Sequence, residues 1–484
     1  MKKTIFVLLF IFASITVAAD TIFFKKGTRL DVGEVWTEDD QVCCEMYGSV
    51  ATFPANTVER IERSSENKKP EKKQIGKKKK TKKEDPGYKY HIKAIEHAGG
   101  GEWGKAIDLE KKACEKKPDN WEIKESLASF YRGYAAELRS DGKFDSALDN
   151  LKEALKLLPD SITAKKAMSL VYLDMAYEAL SKNNNSMCRR YLNKAKEMNS
   201  DNPSIYLLFG QEAYKRDENR IAKKYWQKAL ILKPDFREAK LRLDKLNQEE
   251  VVEDNYKTRD TGNFILKFER EKNLDLAESA ISILNGAYKD VGQDFGIYPK
   301  ESIAVIVYPR SSLRGLDYFP DWAAGVYDGK IRVGQDLWKD KLFVKAVLYH
   351  EYTHAIVNIL GGYKVPLWLN EGLAEYEASR FMRSDRRKRR KMLLKEALKR
   401  DMLFPFDRLS GMNLNILSGL PSVLIELVYV QSESFVIYLV DRYSLYDLKK
   451  VLILLGKGKN INEAVRKIMF VDLDELIQDW KEQI

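Results

Sequence analysis

Two histidines and a glutamate have the types and spacing of a hydrolytic metal site, in the segment His350-Glu351-Tyr352-Thr353-His354. Histidines four positions apart lie one turn apart on the same face of a helix, so both imidazoles can bind one ion. Glu351 lies beside that face, where its carboxylate reaches a water molecule on the ion and acts as general base. The alternative is a pair of hydrogen-bonded core histidines on a buried helix. The chain has only four histidines, so chance is a poor explanation for the motif.

A third metal ligand must be a carboxylate or lie elsewhere in the chain, because no histidine follows His354. Glu371 follows on a second predicted helix, which is antiparallel to the first across a short connection. We predict that His350, His354 and Glu371 bind one Zn²⁺ ion. Glu375 and Asn370, on the second helix, are predicted to accept hydrogen bonds from the ligand imidazoles and to fix their tautomers.

The elements that position these residues alternate between strand and helix patterns after residue 249. Strands are predicted at 264–268, 303–308 and 326–333, and helices at 274–291, 342–360 and 367–376. The long apolar helix at 342–360 carries the two histidines and ends at Gly361-Gly362, a natural helix stop. We therefore predict an α+β domain over residues 250–484.

The two motifs, HEYTH at 350–354 and NEGLAEY at 370–376, resemble the gluzincin class of zinc metallopeptidases and most closely the bacterial peptidase MA-like domains. The resemblance spans residues 250–484 and implies a thermolysin-like fold. It also implies zinc on His350, His354 and Glu371, with Glu351 as base and proton shuttle. Peptides or proteins are then the expected substrates.

The same resemblance implies two further parts of the site. A strand at the cleft edge pairs with extended substrate backbone, and Ala323, Ala324 and Gly325 match that place with side chains small enough for close approach. A tyrosine hydroxyl stabilises the oxyanion in this class, and Tyr429 is the candidate, although a packing aromatic is the alternative. Aminopeptidases of the class carry an acid on the edge strand; 323–326 has none, which favours endopeptidase cleavage.

Residues 88–249 have a helical pattern that repeats with spacings of 41, 41 and 34 positions, marked by Pro118-Asp119, Pro159-Asp160, Ser200-Asp201 and Pro234-Asp235. Small residues keep the same register in two slots, one with Ala106, Ala147, Cys188 and Ala222 and the other with Ala113, Ala154, Ala195 and Ala229. Small side chains suit the places where two helices cross closely. The segment resembles tetratricopeptide repeats, with the first helices lengthened in the 41-residue units. This implies either a docking platform for a protein partner or substrate, or a spacer.

The residues before the repeats predict three further segments. Residues 1–19 have a basic start, an apolar run and small residues at the end, which is typical of a cleavable secretory signal; an uncleaved anchor is the alternative. Residues 20–62 alternate apolar and polar residues and predict a small β-domain of SH3-like size. Residues 63–87 hold ten lysines against four acidic residues and predict a disordered linker, either merely solvated or attracted to an anionic envelope surface.

These features predict a modular, exported protein located in the bacterial periplasm or outside the cell. No later stretch is expected to span a membrane, and a nucleic-acid partner is not expected outside the cytoplasm. The four cysteines lack the spacing of a disulfide framework or a zinc ribbon and are expected to be structural. Two hypotheses follow: an extracytoplasmic zinc endopeptidase whose repeats recruit substrate or partner, or a repeat-based scaffold with an inactive or regulatory peptidase-like domain.

Overall fold

The computed structural model describes residues 20–25, 29–32, 35–38, 40–46, 49–63, 85–269, 274–313, 316, 319–320 and 322–484. The predicted secretory signal, and residues 64–84 of the predicted linker, lie outside the described residues. Contacts divide the chain into two compact units, residues 1–171 and 172–484. The division falls within the predicted repeat region, so the last repeats belong to the same unit as the predicted metal site. The domain boundaries proposed from the sequence stay predictions.

The first unit begins with two three-stranded antiparallel sheets, ordered β2-β1-β6 and β3-β4-β5. Their strands are β1 (Asp20–Phe24), β2 (Arg29–Val32), β3 (Val35–Glu38), β4 (Gln41–Met46), β5 (Ser49–Pro54) and β6 (Val58–Glu62). Phe24 and Phe53 meet edge to face in their core, with ring centroids 5.0 Å apart. A Cβ on Gly99 of the first helix would lie 3.2 Å from the Phe24 ring, so these strands share a core with the helices that follow. An SH3-like topology stays a prediction.

Helices follow in antiparallel pairs through both units. The first unit holds α1 (Pro86–Gly99), α2 (Trp103–Lys116), α3 (Trp121–Ser140), α4 (Phe144–Leu157) and the start of α5 (Ile162–Ser181). The second unit continues with α6 (Asn185–Met198), α7 (Pro203–Lys215), α8 (Asn219–Leu232) and α9 (Arg237–Glu253). This is the TPR-like arrangement that the sequence predicts.

The small residues of the two repeat slots are all fully buried: Ala106, Ala147, Cys188, Ala222, Ala113, Ala154, Ala195 and Ala229. The first helices of the two longer repeats, α3 and α5, have 20 residues, whereas α7 has 13. Asn120 and Asn202 cap α3 and α7, because their side chains accept hydrogen bonds from backbone N–H groups of the first turn.

The second unit ends in a five-stranded sheet surrounded by helices. The strands are β7 (Tyr256–Asp260), β8 (Phe264–Glu269), β9 (Ile303–Tyr308), β10 (Gly325–Tyr327) and β11 (Ile331–Gly334), in the order β10-β11-β9-β8-β7. The helices are α10 (Leu274–Phe295), α11 (Arg310–Leu313), α12 (Lys341–Gly361), α13 (Leu367–Ala378), α14 (Ser384–Lys399), α15 (Phe406–Ser410), α16 (Leu414–Ser418), α17 (Ser422–Arg442), α18 (Leu445–Gly456), α19 (Ile461–Met469) and α20 (Leu473–Gln483). The three inner strands are parallel, and β7 and β10 run antiparallel at the two edges.

One expectation about this part of the chain is wrong. The single strand predicted at 326–333 is a hairpin, in which Val326 pairs with Arg332 and Gly329 turns the chain with a φ of +104°. An Asp-Gly pair at 328–329 is a turn signal that the apolar pattern around it obscured.

Helix α17 has the length and mean hydropathy, 1.6, that a membrane-spanning helix needs. Its apolar residues build the core, with Val428, Phe435 and Leu439 fully buried.

Buried charges tie the last repeat helices to the sheet. The Arg332 guanidinium, which is fully buried on β11, lies 3.0 Å from the Glu249 carboxylate of α9 and donates to the Tyr308 hydroxyl at 2.9 Å. A second group joins Lys330 to Asp217 at 2.7 Å, and Asp217 also pairs with Lys267 at 2.6 Å. Charges removed from water are stable only when they are paired, so these contacts fix the hairpin of β10 and β11 on the end of the repeats.

Replacing Arg332 with methionine removes the nearest cation of the buried Glu249 carboxylate, which lies 3.0 Å from Arg332 and 4.0 Å from Lys245. We expect the free energy of unfolding to fall by about 3–5 kcal/mol, the cost of breaking a buried ion pair from one side. Urea denaturation of the full chain measures the change. The control is Lys459→Met, which removes an exposed pair with Glu463 and is expected to leave the midpoint unchanged. An equally small effect of both substitutions contradicts the prediction.

Candidate metal centre

Two buried helices carry the predicted ligands. The Asp340 side chain caps α12 by accepting hydrogen bonds from the backbone of Leu342 and Phe343, and the helix then runs through the core for 21 residues. The connection to α13 is short because Gly362 turns the chain with a φ of +64°. The second helix packs closely on α17, since a Cβ on Gly372 would lie 2.5 Å from a backbone oxygen. The two helices therefore face each other with little freedom.

Three donor atoms meet between these helices. The Nε2 atoms of His350 and His354 are 3.0 Å apart, and each lies 3.4 Å from Oε2 of Glu371. Ligand atoms about 2.0–2.1 Å from a tetrahedral zinc ion are separated by about 3.3–3.4 Å. The observed spacing therefore fits one zinc ion. Among the described residues, no other cluster of three such groups meets the same spacing.

The environment of the cluster also fits a cation. Glu371 is 4% exposed, and its Oε2 atom has no hydrogen-bond partner among the described residues. Burial alone would raise the pKa of Glu371, but the imidazoles of His354 and His350 outweigh it and lower the pKa to about 2. Burial would likewise lower the pKa of His350, yet the carboxylates of Glu371 and Glu375 outweigh it and raise that pKa. The pocket thus favours positive charge beside a carboxylate.

The outward ring nitrogens of both histidines have acceptors on α13. Nδ1 of His354 lies 3.0 Å from Oδ1 of Asn370, and Nδ1 of His350 lies 3.3 Å from Oε1 of Glu375. These acceptors hold the proton on Nδ1 and leave the Nε2 lone pair toward the shared centre. Asn370 and Glu375 therefore lie beside the histidine rings, as the sequence predicts. Their role in tuning a metal stays a prediction.

Glu351 lies beside the cluster and close to the edge strand. It is 4% exposed, burial raises its pKa, and its Oε2 atom has no hydrogen-bond partner among the described residues. A Cβ on Gly325 would lie 2.7 Å from Oε1 of Glu351, so only glycine lets β10 approach this closely. Ala323 and Ala324 precede that strand and line the same cleft.

Tyr429, on α17, is also brought to the site. Its ring centroid is 6.2 Å from that of His350 and 6.2 Å from that of Trp322, and the residue lines the cleft. Burial raises the pKa of its hydroxyl well above the usual value, so the group stays protonated and can donate a hydrogen bond. All ten residues predicted for the site are therefore together.

One supporting residue, Arg390, is not predicted from the sequence, where it stands in a run rich in basic residues at 383–391. It is 5% exposed, and its guanidinium lies 2.5 Å from Glu375 and 3.0 Å from Glu433. Arg390 thereby fixes the Glu375 carboxylate, which in turn contacts the His350 imidazole. The signal was available: Arg390 precedes Leu394 and Ala397 with helical spacing, and all three face the core.

Residues 285–484 match the family model described as the Peptidase MA superfamily. No curated protein matches the chain. The domain predicted from the sequence, residues 250–484, begins before the matched segment and ends at the same residue.

Solved structures similar to this chain include several TPR proteins. MamA (AMB-1) has a TM-score of 0.23 and 17% identity, covering 34% of this chain and 82% of that one. The first TPR of Spaghetti (RPAP3), bound to an HSP90 peptide, has a TM-score of 0.21 and 19% identity, covering 26% and 95%. A thermophilic TPR protein in Thermus thermophilus has a TM-score of 0.19 and 19% identity, covering 33% and 81%.

The family match coincides with the helices that bring together His350, Glu351, His354 and Glu371. The carboxy-terminal part of this chain, residues 285–484, is therefore a Peptidase MA superfamily domain that follows TPR-like helical repeats.

Proposed function

We propose that the chain is an exported zinc-dependent endopeptidase. The observation that carries the proposal is the meeting of three donor atoms, 3.0–3.4 Å apart, in a cleft that also holds the buried carboxylate of Glu351. His350, His354 and Glu371 would hold the ion. When bound, zinc supplies Lewis-acid chemistry, lowering the pKa of water and polarising a peptide carbonyl.

Glu351 moves the proton in the proposed reaction. Its carboxylate accepts a proton from the attacking water as the water oxygen bonds to the carbonyl carbon, and later donates it to the departing amide nitrogen. The carbon–nitrogen bond breaks, and a carboxylate and an amine leave. Burial raises the pKa of Glu351, which makes it a stronger base than an exposed glutamate.

The edge strand β10 orients the substrate. Within the described residues it has one neighbour in the sheet, β11, so its other edge is available to an extended peptide backbone. Gly325 lies against Glu351, which brings a peptide paired there next to the base. The stretch 323–326 has no acidic side chain to bind a free amine, and this favours cleavage within a chain.

Export and partner binding are further parts of the proposal. The basic and apolar leader-like sequence at 1–19 supports location in the periplasm or outside the cell. Amino-terminal sequencing of the mature protein tests this, because cleavage leaves Asp20 first, whereas an intact Met1 contradicts it.

The helical repeats support docking of a substrate or protein partner. The lysines at 63–87 support peripheral contact with an anionic envelope surface.

Glu351→Gln keeps the size of the side chain but removes the base. We expect cleavage of unfolded casein to fall by about 100-fold or more while the variant still binds one zinc ion per chain. Fluorescent casein with and without chelator, together with metal analysis, measures both. The control is Glu463→Gln, an exposed change on α19.

Full activity of Glu351→Gln, or cleavage by the unmodified chain that resists the chelator, contradicts the mechanism. Tight partner binding without any hydrolysis by the unmodified chain supports the scaffold hypothesis instead.

Tyr429→Phe removes only a hydroxyl. We expect kcat to fall about 100-fold, since one oxyanion donor is worth about 3 kcal/mol, and we expect zinc content and KM to change little. Steady-state kinetics on a peptide substrate measure the split. Tyr446→Phe, an exposed tyrosine on α18, is the matched control. An unchanged kcat assigns Tyr429 to packing alone.

A further inference from the structure

Four arginines line the cleft beside the metal centre. The volume of this cleft is about 660 Å³, and its lining includes His350, Glu351 and the edge residue Gly325. The arginines come from helix α14 and the residue before it, and they are Arg383, Arg386, Arg389 and Arg390. These side chains therefore share one cleft with Glu351.

Two of the arginines are engaged within the protein. Arg390 is buried between Glu375 and Glu433. Arg383 donates to the Asp340 carboxylate at 2.9 Å. Both guanidinium groups are therefore paired with carboxylates of the protein itself.

Arg386 and Arg389 differ from these two. They are exposed and three positions apart, which places them on one face of α14. Within the described ranges, neither has an ion pair or a hydrogen bond to another side chain. The Arg386 guanidinium lies 5.7 Å from the centroid of the Phe343 ring, and both residues line the cleft.

In the described part of the chain, the carboxylates of the cleft lining form no ion pair with these two arginines. Asp340 and Glu375 pair with the engaged arginines. Asp385 lies in the first turn of α14, where the helix dipole favours a carboxylate. Glu426 of α17 is the remaining acid of the lining outside the metal centre. Among the described residues, Arg386 and Arg389 are therefore the two arginines of the lining without a paired carboxylate.

We propose that Arg386 and Arg389 are specificity residues that bind an acidic side chain of the substrate, aspartate or glutamate, in the cleft. The guanidinium fork matches a carboxylate with two parallel hydrogen bonds. Each exposed pair is worth about a factor of three in affinity, so two together give about tenfold. This specificity rests on the proposed peptidase function, but peptide binding can be measured without catalysis.

The test measures binding without catalysis. A fluorescent peptide with one glutamate, and its twin with glutamine there, are titrated onto the full-length Glu351→Gln variant, with and without Arg386→Gln and Arg389→Gln. We expect the glutamate peptide to bind about tenfold more tightly than its twin, and the double arginine change to abolish this difference. The preference should also weaken with added salt. The matched control is Lys388→Gln with Lys391→Gln, exposed residues of α14 outside the cleft lining, which should leave the difference intact.

Equal affinity for the two peptides overturns the proposal, as does a preference that survives the arginine changes or is lost equally in the lysine control. Cleavage assays separate this from the peptidase function. An acid preference in binding without hydrolysis by the unmodified chain refutes the peptidase and keeps the specificity residues. Hydrolysis with no preference for the acidic peptide supports the peptidase function and refutes the specificity residues.

Discussion

A buried carboxylate between two imidazoles is the interaction on which the rest of the domain depends. Glu371 is taken out of water on α13 and placed 3.4 Å from the Nε2 atoms of His350 and His354 on α12. Such burial is unfavourable unless positive charge compensates it. The close packing of α13 on α17, permitted by Gly372, keeps the carboxylate from relaxing toward solvent. The domain thus maintains a site whose natural complement is a cation.

Further layers support this centre from outside. Asn370 and Glu375 set the ring orientations, and Arg390 in turn holds Glu375. On the other side of the cleft, the hairpin that carries the edge strand is fixed to the last repeat helices through Arg332 and Glu249. The repeat helices from residue 172 onward are therefore part of the framework of the cleft, since they belong to the same compact unit.

The sequence predicts the features that follow from local periodicity better than those that depend on contacts between distant residues. The spacing of His350 and His354, and the small residues such as Ala106 and Ala147, obey helical periodicity, so their placement follows from local rules. The hairpin at Gly329 was missed because its turn is only a few residues long within an apolar run. Arg390 was missed because a cation surrounded by other cations suggests solvent, and its carboxylate partners lie on other helices. Pairings over long sequence distances, such as Arg332 with Glu249, depend on tertiary packing and leave no local pattern.

X-ray absorption at the zinc edge of the zinc-loaded, full-length protein tests the central claim most directly. The account predicts a nitrogen and oxygen shell at about 2.0–2.2 Å, with the scattering pattern of two imidazoles that falls to one in His350→Ala. A sulfur shell at about 2.3 Å, or an imidazole pattern unaffected by that substitution, would place the metal elsewhere and contradict the account.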